Sequence, residues 1–332
     1  MLRVGGSFKM VLASVWTLLT LLGHAVGLAQ DTSRKVELFG DVNFEQGFVV
    51  TKAGKTIGEL FSLKENEDGA SGTPKWELAT HASKFNIAEG EISCGANVKR
   101  ASTPGQLVEV KTDDTGTATL RLGVRTENEY LHPRRADEWW IHLLLCRNFS
   151  ESERPAFVDL NSLVFSCDAR VADFAKTDSS NPYDPGLHTT QASVYFVFAN
   201  LNKESKDFGD YIWFGISFFD EREEVQSDYI AVDGDPKTIG TGKLIYRLGG
   251  QKTIDNMMGG VNPYSKEWTH IEADLVSYLE DALDAAKERG FLVDSKLEDF
   301  VVTHFNFGWE TPGTYRSDLL LKNLNLNAVF KK

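Results

Sequence analysis

The sequence contains few cysteines, only Cys94, Cys146 and Cys167 in 332 residues. An odd number allows at most one disulfide within the chain and leaves one thiol over. Their spacing matches no metal-binding pattern, so we expect neither a disulfide scaffold nor a metal site, and no cofactor is indicated. Cys146 and Cys167 lie in apolar, strand-like runs, where burial as small hydrophobic side chains is an equally good interpretation.

The apolar run at residues 10–22 is too short for a membrane-spanning helix, which needs about 20 residues. It follows a basic start, and Gly27-Leu28-Ala29 then supplies the small residues that a signal peptidase recognises. The pattern predicts a signal peptide over residues 1–29. The mature chain is therefore expected to be secreted or periplasmic, with no membrane insertion after cleavage.

Basic residues are outnumbered, since 35 Lys and Arg stand against 48 Asp and Glu and the net charge is −13 at pH 7. The predicted signal peptide carries basic residues only, so its removal makes the charge more negative. This balance argues against binding nucleic acid or an anionic membrane surface. It argues less strongly against an acidic polysaccharide, because a local basic groove can overcome the overall sign.

Recognised catalytic motifs are missing. The sequence has no nucleophile elbow, and Gly249-Gly250 and Gly259-Gly260 have neither phosphate-loop nor dinucleotide-binding spacing. Asp233-Gly234-Asp235 lacks the third spaced acid and the downstream glutamate of a calcium loop, so we interpret it as a turn. Function must be inferred from the architecture and from clusters of side chains.

Most of the chain consists of short alternating runs separated by turn residues, which is typical of a sandwich or barrel. Such runs predict strands over residues 35–39, 47–52, 56–63, 75–79, 106–111, 117–125, 157–174, 300–307 and 315–330. The runs 192–200 and 210–219 predict a hairpin with a long loop. Val194, Phe196 and Phe198 recur with a period of two, which places them on one face of the first strand.

One helix is predicted over residues 268–289, where an apolar stripe that includes Ile271, Leu275 and Leu279 follows helical spacing. The predicted fold is mostly β, an antiparallel, jelly-roll-like β-sandwich with this one amphipathic helix packed against it. We expect a single domain over residues 30–332. The alternative is two β-lobes divided near residues 128–137. The turn-rich stretch 176–189 is a candidate functional loop, since long loops inside a compact domain often are.

The C-terminal run Tyr315-Arg316-Ser317-Asp318-Leu319-Leu320-Leu321-Lys322-Asn323-Leu324-Asn325-Leu326 resembles the closing strand of jelly-roll carbohydrate-binding modules and of concanavalin-A-like sandwich enzymes. Asn323 stands where those families often have Asp. The resemblance implies a secreted β-sandwich with a face that handles saccharides. The Glu-x-Asp-x-x-Glu triplet of laminarinase-like hydrolases and the Tyr-x-Lys-x-Gly-x-Tyr strand of alginate lyases are both missing.

Four clusters, at residues 127–142, 188–191, 213–222 and 306–310, combine aromatic and polar side chains as sugar-binding sites do. Glycoside hydrolysis needs two carboxylates, and β-elimination needs a base and a group that neutralises charge. The candidate catalytic residues are Glu129, His142, His188, Asp220 and Glu310. For elimination, Tyr130 is a further candidate base and Arg222 a candidate charge neutraliser.

The candidate substrate-binding residues are Trp140, Trp213, Arg222 and Trp309. Core packing is the alternative for Trp213, which lies among apolar neighbours. Trp139 and Trp140 are expected on opposite faces of a strand, so that only one is exposed. Trp309 precedes a turn, which favours exposure.

These observations predict an exported β-sandwich protein that binds a poly- or oligosaccharide. The alternatives are a glycoside hydrolase or lyase on the same fold, and an interaction protein of the cell envelope. An enzyme requires the candidate residues to converge in one cleft with perturbed pKa values. A binding module requires exposed aromatic platforms alone, and an interaction protein requires a large apolar patch.

Overall fold

The computed structural model describes residues 34–62, 73–177, 183–224, 226–234, 240–249, 257–258 and 266–332. The predicted signal peptide lies outside the described residues, as does the 178–182 part of the candidate loop.

The first half of the chain forms strands β1 (Lys35–Glu37), β2 (Phe48–Lys52), β3 (Lys55–Leu60), β4 (Trp76–Ala79), β5 (Glu91–Cys94), β6 (Val98–Ser102), β7 (Gln106–Thr112), β8 (Ala118–Arg125) and β9 (Ile141–Asn148). The second half forms β10 (Leu160–Lys176), β11 (Gln191–Asn200), β12 (Tyr211–Asp220), β13 (Tyr229–Gly234), β14 (Gly240–Leu248), β15 (Met257–Met258), β16 (Thr269–Asp274), β17 (Phe300–Thr311) and β18 (Tyr315–Phe330). Short 3-10 helices cover Ile87–Glu89, Thr126–Asn128, Glu151–Glu153, Phe157–Asp159 and Leu297–Asp299.

The strands form two sheets of nine strands each. The first has the order β15-β16-β10-β18-β8-β7-β6-β5, with β1 also paired to β18, and the second has the order β13-β14-β12-β11-β17-β9-β4-β2-β3. Pairing is antiparallel except between β12 and β14 and between β2 and β4. The predicted β-sandwich is confirmed, and so is the predicted hairpin, which is β11 and β12.

Alternating side chains of both sheets fill one core. Val194, Phe196 and Phe198 of β11 face inward and are fully buried, as the period of two predicts, and so are Leu319 and Leu321 of β18. Full burial of an apolar side chain of this size contributes about 1.5–3 kcal/mol. Strands from both sides of residues 128–137 pair with one another, β8 with β18 and β4 with β9. The number of domains stays a prediction.

In the C-terminal strand β18, the side chains that face the core switch from odd-numbered to even-numbered residues partway along the strand. Up to Leu321 the buried apolar residues are odd-numbered, and from Leu324 onward they are even-numbered. The change occurs at Asn323, which has φ 54° and lies in a β-bulge opposite β10. Asparagine tolerates this left-handed conformation better than other residues with a side chain. The bulge keeps both halves of a 16-residue strand facing the same core.

The helix α1 covers Val276–Lys287, so the prediction of one packed helix is confirmed but its predicted start at residue 268 is wrong. The preceding residues form β16, which pairs with β10. Ile271 and Leu275 fit both an alternating and a helical pattern, and the pairing with β10 decides between them. α1 contacts β10 of the first sheet and β12 and β14 of the second, and the Tyr278 ring stacks on Phe214 at 5.7 Å.

All three cysteines are free. Cys146 and Cys167 are buried, in line with their interpretation as small hydrophobic side chains, whereas Cys94 is exposed on β5, at the end of the first sheet. Among the helices in the described part of the chain, none has the length and apolar character required to cross a bilayer.

Candidate functional site

The outer face of the second sheet carries a row of chemically active side chains. Because residues alternate between faces, the neighbours of the buried Val194, Phe196 and Phe198 point away from the core. The pairing registers align one outer residue from each successive strand, namely Tyr229, Arg247, Gly215, Tyr195, Asn306 and Cys146. A second row, nearer the other end of β17, pairs Gln191, Glu310 and His142.

Glu310 and His142 occupy neighbouring strands of this face. His142 Nε2 lies 3.9 Å from Glu310 Oε1, and the two side chains are 22% and 21% exposed. Gln191 Nε2 donates a hydrogen bond of 3.1 Å to Glu310 Oε2. The carboxyl group is therefore fixed between an amide and an imidazole while solvent still reaches it.

Burial sets the protonation of this pair. It raises the pKa of Glu310, and the charge of Asp233 raises it further, against the hydrogen bond from Gln191 and the charge of Arg247. Burial lowers the pKa of His142 to about 4, against the charge of Asp233. At neutral pH the imidazole is therefore uncharged, and the carboxyl group holds its proton to a higher pH than an ordinary glutamate.

Tyr195 and Arg247 meet above Gly215. A Cβ at Gly215 would lie 2.6 Å from Tyr195 Cε1 and 2.9 Å from Arg247 Cγ, so only glycine leaves room for both side chains. Burial raises the pKa of Tyr195, the charge of Arg247 lowers it, and the charge of Glu310 raises it. These interactions link the two rows of the face into one cluster.

Aromatic side chains flank the cluster on one side. The Trp213 ring lies on the outer face, with ring centroids 6.2 Å from Tyr195, 5.7 Å from Tyr211 and 6.1 Å from His304. Its Nε1 donates to Thr241 Oγ1 at 3.2 Å. The position of Trp213 outside the core is compatible with a sugar platform, and that role stays a proposal.

On the other side, His142 adjoins His81, which in turn adjoins Trp139. The His81 ring lies 5.4 Å from His142 and 5.0 Å from Trp139. The expectation that Trp139 and Trp140 alternate across a strand is wrong, because both precede β9 in an irregular segment and are 46% and 36% exposed. The guanidinium carbon of Arg134 lies over the Trp140 ring, 5.9 Å from the ring centroid.

Three of the predicted catalytic residues are engaged elsewhere, and Glu129 is the first. It is buried and accepts hydrogen bonds from Ser83 Oγ at 2.6 Å and from the Lys84 backbone at 2.7 Å. Burial raises its pKa, although these hydrogen bonds oppose the shift. Glu129 therefore fastens the 83–85 segment and is not part of the cluster around Glu310.

His188 has both ring nitrogens occupied. Nδ1 accepts from the Asp184 backbone at 3.1 Å, so Nε2 carries the proton that it donates to the Arg134 carbonyl at 2.9 Å. A buried imidazole with two backbone partners has no nitrogen free for a substrate, which corrects the assignment of His188 as a catalytic candidate.

Asp220 and Arg222 neutralise one another. Arg222 Nη2 donates to Asp220 Oδ2 at 2.6 Å, and Thr189 Oγ1 donates to Asp220 Oδ1 at 2.9 Å. Burial alone would raise the pKa of Asp220, but these hydrogen bonds outweigh it and the pKa lies below its ordinary value. The pair joins the end of β12 to the 183–190 segment, because Arg222 also donates to the Pro185 carbonyl. We therefore do not assign Asp220 a catalytic role or Arg222 a substrate-binding one.

Trp309 is fully buried, and its Nε1 donates to the Leu122 carbonyl at 2.9 Å. The expectation of an exposed indole is therefore wrong, because Trp309 falls on the inward parity of β17. Tyr130 is also buried, and its hydroxyl donates to the Trp139 and Thr311 carbonyls. Tyr130, His188 and Arg222, which were proposed for elimination, are thus each engaged in contacts within the protein.

Tyr195 and Arg247 were not among the site residues predicted from the sequence. A usable signal was present, since Tyr195 lies between the alternating Val194 and Phe196, and Arg247 lies between Tyr246 and Leu248. Each polar residue must then point away from the core. In the part of the chain that the structure describes, no three His, Cys, Asp or Glu side chains are grouped as metal ligands would be.

No family model matches the chain, and no curated protein matches it. Several solved structures are similar to it. They include a family 12 xyloglucanase from Bacillus licheniformis (8% identity, TM-score 0.39, covering 72% of this chain and 97% of that one). The endoglucanase Cel12A from Rhodothermus marinus is 10% identical, with TM-score 0.34 and coverage of 69% and 93%. The family 11 xylanase from Neocallimastix patriciarum is 11% identical, with TM-score 0.31 and coverage of 71% and 96%. At such low values the likeness carries no argument about activity.

Proposed function

We propose that this chain is an exported enzyme that hydrolyses a polysaccharide on the outer face of its second sheet. The observation that carries the proposal is the state of Glu310, a solvent-accessible carboxyl group with a raised pKa that is fixed by Gln191 beside an uncharged His142. Hydrolysis of a glycosidic bond needs an acid that keeps its proton near neutral pH and delivers it to the leaving oxygen.

Glu310 is assigned as that proton donor. The reaction also requires a second carboxylate, as base or nucleophile. Asp233 is proposed for that role, because its charge acts on both Glu310 and His142 and because hydrogen bonds from Thr241 to its Oδ2 fix the carboxylate near the end of β13. Trp213 supplies a flat apolar surface for a sugar ring. Pure carbohydrate binding needs such a platform but does not need a carboxyl group whose pKa is raised.

The test is the release of reducing ends from a panel of polysaccharides by protein expressed from the full-length sequence. Glu310→Gln keeps the size and the amide contacts of the side chain but cannot donate the proton, so we expect the rate to fall about 100-fold or more. Glu272→Gln is the matched control, because Glu272 is a half-exposed carboxylate on β16 of the other sheet. It should retain the wild-type rate.

The pH profile gives an independent check of the assignment. A raised pKa means that Glu310 keeps its proton to a higher pH than an ordinary glutamate, so activity should extend to neutral pH and decline on the alkaline side of the profile, where Glu310 loses the proton. Activity that rises with pH through the neutral range would contradict a proton-donor role. So would a Glu310→Gln protein with the wild-type rate, or a wild-type protein that cleaves no polysaccharide of the panel.

A further inference from the structure

Arg247 carries a half-buried guanidinium on the outer face of β14. No ion pair joins it to an acidic side chain within the described part of the chain, and its Nε is shielded from solvent without an acceptor. Two other shielded arginines of the protein are paired with carboxylates, Arg125 with Asp318 at 3.0 Å and Arg147 with Glu153 at 2.7 Å, whereas Arg170 Nε also lacks an acceptor.

Packing rather than charge pairing fixes the orientation of Arg247. Its guanidinium carbon lies 5.0 Å from the centre of the Tyr229 ring, and its Cγ passes over Gly215 beside the Tyr195 ring. The charge of Arg247 also acts on the Tyr195 hydroxyl group. The N–H donors of the guanidinium are therefore held in place before a ligand binds, which reduces the entropy lost on binding.

Leaving this charge unpaired is unfavourable in the free protein, and the sequence offers 48 acidic residues that could have paired with it. A planar guanidinium matches a carboxylate in a two-point contact, and this contact is strongest where water is partly excluded. The position of Arg247 in the same cluster as Glu310 puts such a contact within reach of a bound saccharide.

We infer that Arg247 binds a carboxylate of the saccharide, so that the site takes a polysaccharide containing uronic acid. This inference rests on the proposed function only in that a saccharide binds on this face. It does not depend on whether the saccharide is hydrolysed. One fixed arginine in an otherwise acidic protein suits a chain with spaced uronic acid residues better than a densely charged polyanion, which the overall negative charge would repel.

The test compares polymers that differ only in their carboxylates. Glucuronoxylan, polygalacturonate and alginate are each paired with their carboxyl-reduced form, and binding is measured by calorimetric titration. The proteins carry Glu310→Gln so that binding is measured without turnover. Arg247→Gln removes the charge. Arg247→Lys keeps the charge but lacks the planar pair of N–H donors that contacts both oxygens of a carboxylate. Arg170→Gln is the control, since Arg170 Nε on the first sheet also lacks a partner.

We expect at least one native polymer to bind about tenfold or more tightly than its reduced form, because a charged hydrogen-bonded contact is lost. Arg247→Gln should abolish that preference, Arg247→Lys should retain part of it, and Arg170→Gln should leave it intact. The inference is overturned if no native polymer is preferred, or if the preference survives in Arg247→Gln. A loss of equal size in Arg170→Gln would also overturn it, since general charge would then explain the binding.

Cleavage is scored separately with Glu310 intact. If Arg247 determines the preference but no polymer is cut, the proposed hydrolysis fails and carboxylate binding stands. An unsaturated uronide among the products, detected by its ultraviolet absorbance, would replace hydrolysis by elimination and also leave carboxylate binding in place. Hydrolysis with no preference for uronic acid would uphold the proposed function and overturn the assignment of Arg247.

Discussion

Trp213 and Trp309 lie in the same sheet, yet the parity of their strands gives them opposite surroundings. Trp309 is enclosed in the core with its indole nitrogen bonded to a carbonyl of β8, and Trp213 lies on the outer face among Tyr195, Tyr211 and His304. One residue type therefore contributes to folding at the first position and is available to a ligand at the second.

We expect Trp309→Phe to lower the free energy of unfolding by about 1–3 kcal/mol, because volume and a buried hydrogen bond are lost. Trp213→Ala should cost less stability and should weaken binding of the best polysaccharide about tenfold, as loss of an aromatic anchor does. Urea unfolding and calorimetric titration measure the two effects. Equal effects of both substitutions on binding would contradict the separation of their roles.

Single residues were predictable from the sequence where their type alone marks them, as for Glu310 and His142. The sequence did not separate these two from Glu129 and His188, whose partners come from distant segments. Ser83 and the Arg134 carbonyl satisfy those side chains, and neither contact has a local sequence signal. Arg247 was not predicted for the opposite reason, since what distinguishes it is that no carboxylate of the described residues pairs with it.

Among the strands, β18 depends most visibly on a single position. Asn323 holds a left-handed backbone and donates its amide to Asp168 Oδ2 at 2.6 Å, so the bulge is stabilised by conformation and by a side-chain bond. Without the bulge, the side chains on one half of the strand would face the wrong way.

Asn323→Val should therefore cost about 1–3 kcal/mol of stability, because a β-branched residue is strained at positive φ. Asn327→Val, four residues along in regular β structure, is the control and should cost less. Asn323→Gly keeps the backbone conformation and loses only the amide bond, so it should fall between them. Equal unfolding midpoints for the two valine variants would show that the bulge is not constrained at Asn323.

Elements were predicted best where apolar and polar residues alternate clearly, as in β11, β12 and β18. The strands β5 and β13 were missed, because their exposed or mixed residues leave little alternation. The start of α1 was misplaced because the spacing of Ile271 and Leu275 suits either structure. In each case the deciding information is the neighbouring strand, which a local pattern does not contain.

At the scale of the whole molecule, the two sheets share one hydrophobic core, and β1 and β8 from the first half of the chain pair with β18 at its end. We therefore expect a single cooperative unfolding transition in calorimetry. Leu120→Ala on β8 and Leu244→Ala on β14 should each lower the temperature of that one transition, since each leaves a core cavity that costs about 2–5 kcal/mol. Two transitions, with each variant shifting only one, would support the alternative of two lobes.

The distribution of thiols has a practical consequence for following ligand binding. Cys94 is accessible on β5, while Cys146 and Cys167 are enclosed, and burial raises the pKa of both enclosed thiols. A maleimide dye added to the folded protein should attach at one known position. That position belongs to the sheet that does not carry Glu310 or Arg247, so the fluorophore would report on the molecule without occupying the surface where the saccharide is proposed to lie.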